Sequence, residues 1–299
     1  MFAKCERIVK RKCSQYANGG GGMKRNPYLI EGPALISFSG GRTSGYMLYH
    51  VIQAHGGTLP DNVHVVFANT GRERPETLDF VAEVARRWSV RITWLEWRDD
   101  GAGFEVVNHN SASRSGEPFA GLIAKRCMLP NPVSRFCTQE LKVRPMKKFM
   151  LSLGYERWAN VVGIRADEPR RVSRLRESDE RQRWDNCLPL ASAKVTERTV
   201  LEFWRQQQFD LGISSAEGNC DLCFLKALPT LVAILRDRPD LAPWWIGEEQ
   251  RLPSVKRQGD YCTFRNDRPS YAEMLVLAES QGDFGWGIAD HTMPCGCHD

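Results

Sequence analysis

Ala34-Leu-Ile-Ser-Phe38, Ser39-Gly-Gly-Arg-Thr-Ser44 and the helical spacing of Tyr46, Met47, Leu48, Val51 and Ile52 decide the fold of this chain. The first segment is a short apolar run ending in small residues, as expected for a buried parallel strand. The second is a glycine-rich turn, and the third is the apolar face of a helix. Glycine lets the backbone take positive φ and approach an anion closely. The exposed N–H groups of the helix start then bind that anion, with Ser39, Thr43 and Ser44 adding hydroxyls. The turn lacks the Gly-Lys-Ser/Thr of a Walker A loop.

The pattern repeats outward. His64-Val-Val-Phe-Ala68 reads as a strand ending in the turn Asn69-Thr-Gly71. A helix is expected from about Pro75 to Trp88, and Arg91–Trp97 alternates like another strand. This order predicts an α/β fold: a doubly wound, mostly parallel sheet with right-handed crossovers and helices on both faces. Ligands in such sheets lie at the carboxyl ends of strands, where both turns fall. Residues 99–135 read as a loop or mobile flap, followed by a helix from about Thr138 to Leu153. Trp158–Ile164 reads as a further strand, and Thr196 as the N-cap of a later helix. Three regions are expected: a flexible basic tail over 1–27 carrying Gly19–Gly22, a nucleotide-binding α/β domain over 28–212, and a Cys-rich helical region with a tail over 213–299.

The 299 residues carry 41 basic and 36 acidic side chains and a formal charge of +5. That mild excess suits an anionic substrate and does not require a nucleic acid. No apolar run reaches the roughly 18–20 residues needed to span a bilayer, and the first residues are polar and basic. A soluble, cytoplasmic protein without a membrane partner is expected. Ten cysteines are many for that compartment and point to metal or redox chemistry. Cys220-Asp-Leu-Cys223 has metal-ligand spacing. Trp244 and Trp245 are expected in a core or an interface.

Four segments, collinear over roughly residues 34–205, resemble the phosphoadenosine phosphosulfate reductase family of the PP-loop superfamily. Ser39-Gly-Gly-Arg-Thr-Ser44 is similar to Ser-Gly-Gly-x-Asp-Ser, with Thr43 at the Asp position. Sulfonucleotide reductases also lack that Asp, which the ATP pyrophosphatases use for metal and pyrophosphate. Phe67–Thr77 resembles the NTG-x-x-x-PET segment, Val162–Arg171 the G-x-R-x-x-E-S-x-x-R element, and Leu188–Val200 the P-L-x-x-W-T-x-x-D-V segment. The resemblance implies an adenine-nucleotide site made by Ser37, Ser39, Gly40, Gly41, Arg42, Thr43, Ser44, Asn69, Thr70, Gly163, Arg165 and Arg171. A guanidinium such as that of Arg165 suits phosphate or sulfate through bidentate, charge-assisted hydrogen bonds.

The resemblance extends to the cysteines. Arg135–Met146 is similar to R-C-C-x-x-R-K-V-x-P-L, with Phe136 in place of one Cys and one extra residue of spacing. It implies a 4Fe–4S cluster held by Cys137, Cys220 and Cys223, with Cys262, Cys127 or a non-protein group as the fourth ligand. Zinc is the rival metal. Met293-Pro-Cys-Gly-Cys-His-Asp299 resembles the reductases' E-C-G-x-H end, which implies that Cys295 is the nucleophile, with Cys297 and His298 beside it. Thioredoxin or glutathione would regenerate the thiol, and a homo-oligomer is compatible. Two alternatives stand: an ATP- and Mg²⁺-dependent sulfurtransferase acting on tRNA or DNA, and a non-catalytic nucleotide-binding module.

Overall fold

A computed structural model describes residues 26–177, 182–214, 217–218, 220–252 and 262–280. Its sheet has six strands in the order β4-β3-β2-β1-β5-β6. These are β1 (Ala34–Ser37), β2 (Val63–Asn69), β3 (Ile92–Glu96), β4 (Glu105–Val107), β5 (Trp158–Val162) and β6 (Trp184–Cys187). Every pairing is parallel except β3 with β4. From β1 the chain moves out to β2 and β3 on one side, and β5 later returns on the other. The switch point therefore lies between β1 and β5, and the crevice outside their carboxyl ends is the natural ligand position.

Strand alternation sends Ala34 and Ile36 into one apolar core and Leu35 into another. The first core is covered by α1 (Arg42–Ala54), α2 (Pro75–Arg87) and α7 (Glu197–Arg205). The second is covered by α4, a helical segment running Phe136–Thr138, Gln139–Val143 and Arg144–Ser152. The middle stretch of α4 is π-helical, and Arg144 N–H donates to the carbonyl five residues back, Gln139. Pro145 follows, has no N–H to continue the ladder, and so tolerates the slip. The expected cap is present: the Thr196 side chain accepts from Thr199 N–H at the start of α7.

Two departures from the sequence reading have physical causes. Residues 99–135 are not a bare flap, for they hold β4 and α3 (Glu117–Arg126). Phe119, Leu122 and Ile123 fall on one face of α3 and are buried. β6 was not anticipated; it pairs with β5 from Trp158↔Trp184 to Val161↔Cys187. The Cys-rich region is helical as expected and holds α8 (Leu228–Asp237), α9 (Ala242–Arg251) and α10 (Tyr271–Ser280). Its described residues form no separate core. Leu222, Phe224, Leu231, Trp245 and Tyr271 share one cluster with Trp97, α3 and Leu141 of α4. Trp245 is fully buried in that cluster, as expected of a core tryptophan. Among the described residues no helix is long and apolar enough to cross a membrane.

Candidate nucleotide and thiol site

Gly40 has φ +75°, and a Cβ there would lie 2.8 Å from Thr77 Cγ2 and 2.9 Å from Val81 Cγ2. Both the dihedral and the contact require glycine. The turn is drawn tight by Ser44, whose Oγ donates to the Gly41 carbonyl at 2.9 Å and lies 3.0 Å from Ser39 Oγ. Gly41 N–H donates to Ser44 Oγ at 3.3 Å. No acidic side chain occupies the first turn of α1, so the positive end of its dipole is not neutralised from within.

The end of β5 closes against this turn. A Cβ on Gly163 would come within 3.3 Å of Ser44 Cα, so the two backbones nearly touch. Two residues on, Arg165 Nη1 donates to Thr43 Oγ1 at 3.3 Å, Nε donates to Asp167 at 2.9 Å, and Glu197 lies 3.8 Å away. A guanidinium thus stands beside the helix start. Arg171 is paired with Glu168 at 2.6 Å, and Glu168 also accepts from Arg165 N–H at 3.0 Å.

Other predicted residues make polar contacts within the protein. Arg42 donates to both carboxylate oxygens of Asp210, at 2.7 and 2.6 Å, and to the Ile213 carbonyl at 2.7 Å. Its guanidinium is committed to pinning the 210–213 segment. Burial alone would raise the Asp210 carboxyl, but the Arg42 hydrogen bond, the Leu211 N–H and the Arg42 charge together outweigh it and hold it below its ordinary 3.8. Asn69 is fully buried; its amide donates to Glu96 at 2.6 Å and to the Ser113 carbonyl at 2.8 Å. Thr70 donates twice to Glu73 Oε2, from its amide and its hydroxyl, each at 2.8 Å. Ser37 is buried, in weak contact with Met146 Sδ at 3.4 Å. It lines a groove with Lys142, Trp158 and Asn160 on the α4 side of the sheet.

The thiols sit one strand away. Cys220 pairs antiparallel with Glu73, just past β2, and Asp221 N–H donates to the Arg72 carbonyl at 2.9 Å. The Arg72 guanidinium is ion-paired with Asp221 and stacks over Trp244, 4.9 Å from the ring centre. Trp245 Nε1 donates to Asp221 at 2.9 Å, and Lys226 Nζ donates to the Cys220 carbonyl. Burial raises the Asp221 carboxyl above its ordinary value even though Arg72 pulls it down. Cys223 is buried, while Cys137 and Cys262 are half-buried and pack against the cluster that contains Leu222 and Phe224.

Cys137 and Cys262 thus border the cluster that holds Leu222 and Phe224, the neighbours of Cys223, and thiols are a donor type suited to iron–sulfur or zinc. Their arrangement is another matter: among the described residues no three His, Cys, Asp or Glu side chains form a metal-holding group. Cys127 is exposed at the end of α3, and Cys187 is buried at the end of β6. Cys295, with Cys297 and His298, lies outside the described residues, as do Cys5 and Cys13.

The sequence reading missed Arg72, Glu73, Arg74 and Asp221, all at most 8% exposed. The available signal was charge density: Arg-Glu-Arg between Asn69-Thr-Gly71 and Pro75-Glu-Thr77, and an acid between two cysteines.

A phosphoadenosine phosphosulfate reductase domain model matches residues 33–212. An uncharacterized nin region protein of Escherichia phage lambda is 30% identical over 222 residues, covering 69% of this chain and 71% of that protein. An uncharacterized protein of Methanocaldococcus jannaschii is 29% identical over 154 residues, 51% of this chain and 27% of that protein. Among solved structures, the phosphoadenylyl-sulfate reductase of Candida auris in a phosphate complex aligns at TM-score 0.38 and 16% identity, covering 61% of this chain and 80% of that one. The U34-tRNA thiolase NcsA of Methanococcus maripaludis, with its [4Fe-4S] cluster, aligns at TM-score 0.41 and 15% identity, covering 92% and 80%. With the domain model spanning the glycine turn, β2, β5 and Arg165, the chain belongs to the phosphoadenosine phosphosulfate reductase domain family.

Proposed function

We propose that this chain binds an adenine sulfonucleotide through its anionic end and reduces it with cysteine thiols. The observation that carries the reading is the meeting of the glycine turn after β1 with Arg165 after β5, one strand from the Cys220–Cys223 turn after β2. The amides of the α1 start and the Arg165 guanidinium would hold the phosphosulfate. Cys295 is the proposed nucleophile. Its thiolate attacks the sulfur, an S–S bond forms and the sulfur–oxygen bond to phosphate breaks. The electron pair leaves with the nucleoside phosphate, next to Arg165. A second thiolate then attacks the Sγ of the S-sulfocysteine, whose bond to the sulfonate breaks, which releases sulfite with the electron pair and leaves a disulfide. An external dithiol of the thioredoxin type, or glutathione, reduces that disulfide.

The test is to incubate anaerobically purified protein with adenosine phosphosulfate or its 3′-phosphorylated form and a dithiol, and to measure sulfite. Sulfite release that is lost in Cys295→Ser and falls about 100-fold or more in Arg165→Ala supports the reading. Pyrophosphate release from ATP without sulfite formation would overturn it in favour of adenylation-coupled sulfur transfer. Metal content is settled on the same sample. About four iron and four sulfide per chain correspond to a 4Fe–4S cluster, and about one zinc without sulfide to a structural thiolate site.

A further inference from the structure

One buried carboxylate joins the two turns of this site. Glu73 Oε2 accepts the amide and the hydroxyl of Thr70, each at 2.8 Å, while Oε1 lies 3.5 Å from Lys142 Nζ. The main chain of the same residue pairs with Cys220, and the neighbouring Arg72 carbonyl receives Asp221 N–H at 2.9 Å. Thr70 Oγ1 also accepts from Arg72 N–H at 3.3 Å. Helix α2 starts two residues after Glu73, and its Thr77 abuts Gly40. The Glu73 side chain has no exposure. A buried carboxylate that loses its donors is left desolvated and unsatisfied, so Thr70 and Glu73 shift together more readily than they part.

We propose that Glu73 is a positioning residue that couples the nucleotide turn to the thiol turn: its carboxylate follows Thr70 while its backbone carries Cys220. The proposal rests on the nucleotide reading above. A ligand that orders Thr70 therefore tightens the Cys220–Cys223 turn, and by linkage a fixed thiol turn strengthens ligand binding.

The experiment is hydrogen exchange of the segment 220–224, with and without saturating adenosine phosphosulfate, alongside calorimetric binding. In the wild type the nucleotide is expected to slow exchange there by about tenfold. In Glu73→Gln, which keeps the shape and removes the charge, binding persists and the slowing drops to about twofold or less. Thr70→Val leaves the carboxylate in place but removes one donor. It is expected to give about threefold slowing, and it decides the matter if Glu73→Gln does not fold. A general loss of stability would change exchange in both states and leave their ratio intact. Nucleotide binding by the wild type with no change at 220–224 overturns this coupling alone, as does full tenfold slowing in both variants. Failure of the wild type to bind any adenine nucleotide overturns both the coupling and the reading beneath it.

Discussion

Gly40 and Arg42 sit two residues apart and do opposite kinds of work. Gly40 is held at φ +75° with α2 against its missing Cβ. An alanine there meets left-handed strain and a 2.8 Å contact with Thr77 at once. Gly40→Ala is expected to destabilise the fold by about 2–3 kcal/mol and to weaken nucleotide binding at least about tenfold, measured by urea unfolding and calorimetry. Arg42 instead faces Asp210, whose depressed carboxyl makes a pH statement. The folded value lies below 3.8, so the pair's contribution is fully present above that and is lost as pH falls through the folded value. In Asp210→Asn the unfolding midpoint is expected to fall less steeply below pH 4 than in the wild type. Equal acid slopes for the two proteins would refute this assignment. The glycine turn and Arg165 were legible because their chemistry is local and their motifs short. The pairing of Arg42 with Asp210 was not, because the two lie 168 residues apart.

Among the elements, those carrying an internal pattern were readable and those made by a neighbour were not. β1, β2 and β5 are buried apolar runs, and α1 and α2 keep a clear apolar face. β4 and β6 are short edge strands, Glu105–Val107 and Trp184–Cys187, with little alternation of their own. Pairing with β3 and β5 defines them. α3 was hidden because polar and glycine residues surround its four buried side chains. α7 shows how an element reaches the site from outside it. Thr196 caps it, Trp204 Nε1 donates to the Arg42 carbonyl at 2.8 Å, and the Trp204 ring lies over Gly45. Thr196→Ala is expected to cost about 1 kcal/mol in stability. Loosening the start of α7 leaves Trp204 near its C-terminal end in place, so nucleotide affinity is expected to change less than about threefold. A larger loss of affinity in calorimetry would mean that the cap and the glycine turn are coupled.

At the scale of the whole molecule, the sheet and the Cys-rich region meet through a buried ion pair as well as through shared apolar packing. Arg72 comes from the end of β2 and Asp221 from the turn between two cysteines, 149 residues apart in sequence. Both are nearly inaccessible to water, and Trp245 and Trp244 enclose them. Moving two charges out of water costs several kcal/mol each, and their attraction returns that only in part. The raised Asp221 carboxyl says the same, for burial outweighs the pull of Arg72. The loss of one partner and the loss of both must therefore differ in kind. Asp221→Asn leaves a guanidinium buried without its carboxylate and is expected to cost about 3–5 kcal/mol. Replacing both, Arg72→Met with Asp221→Leu, removes the desolvation along with the attraction and is expected to cost less than about 1–2 kcal/mol. Such a double variant would keep the fold but relax the thiol turn against the glycine turn, so its stability and its sulfite release should separate. Urea unfolding of the two variants, with sulfite release measured on each, checks the argument. If the double variant is as unstable as Asp221→Asn, the pair is a net source of stability and the desolvation account is wrong.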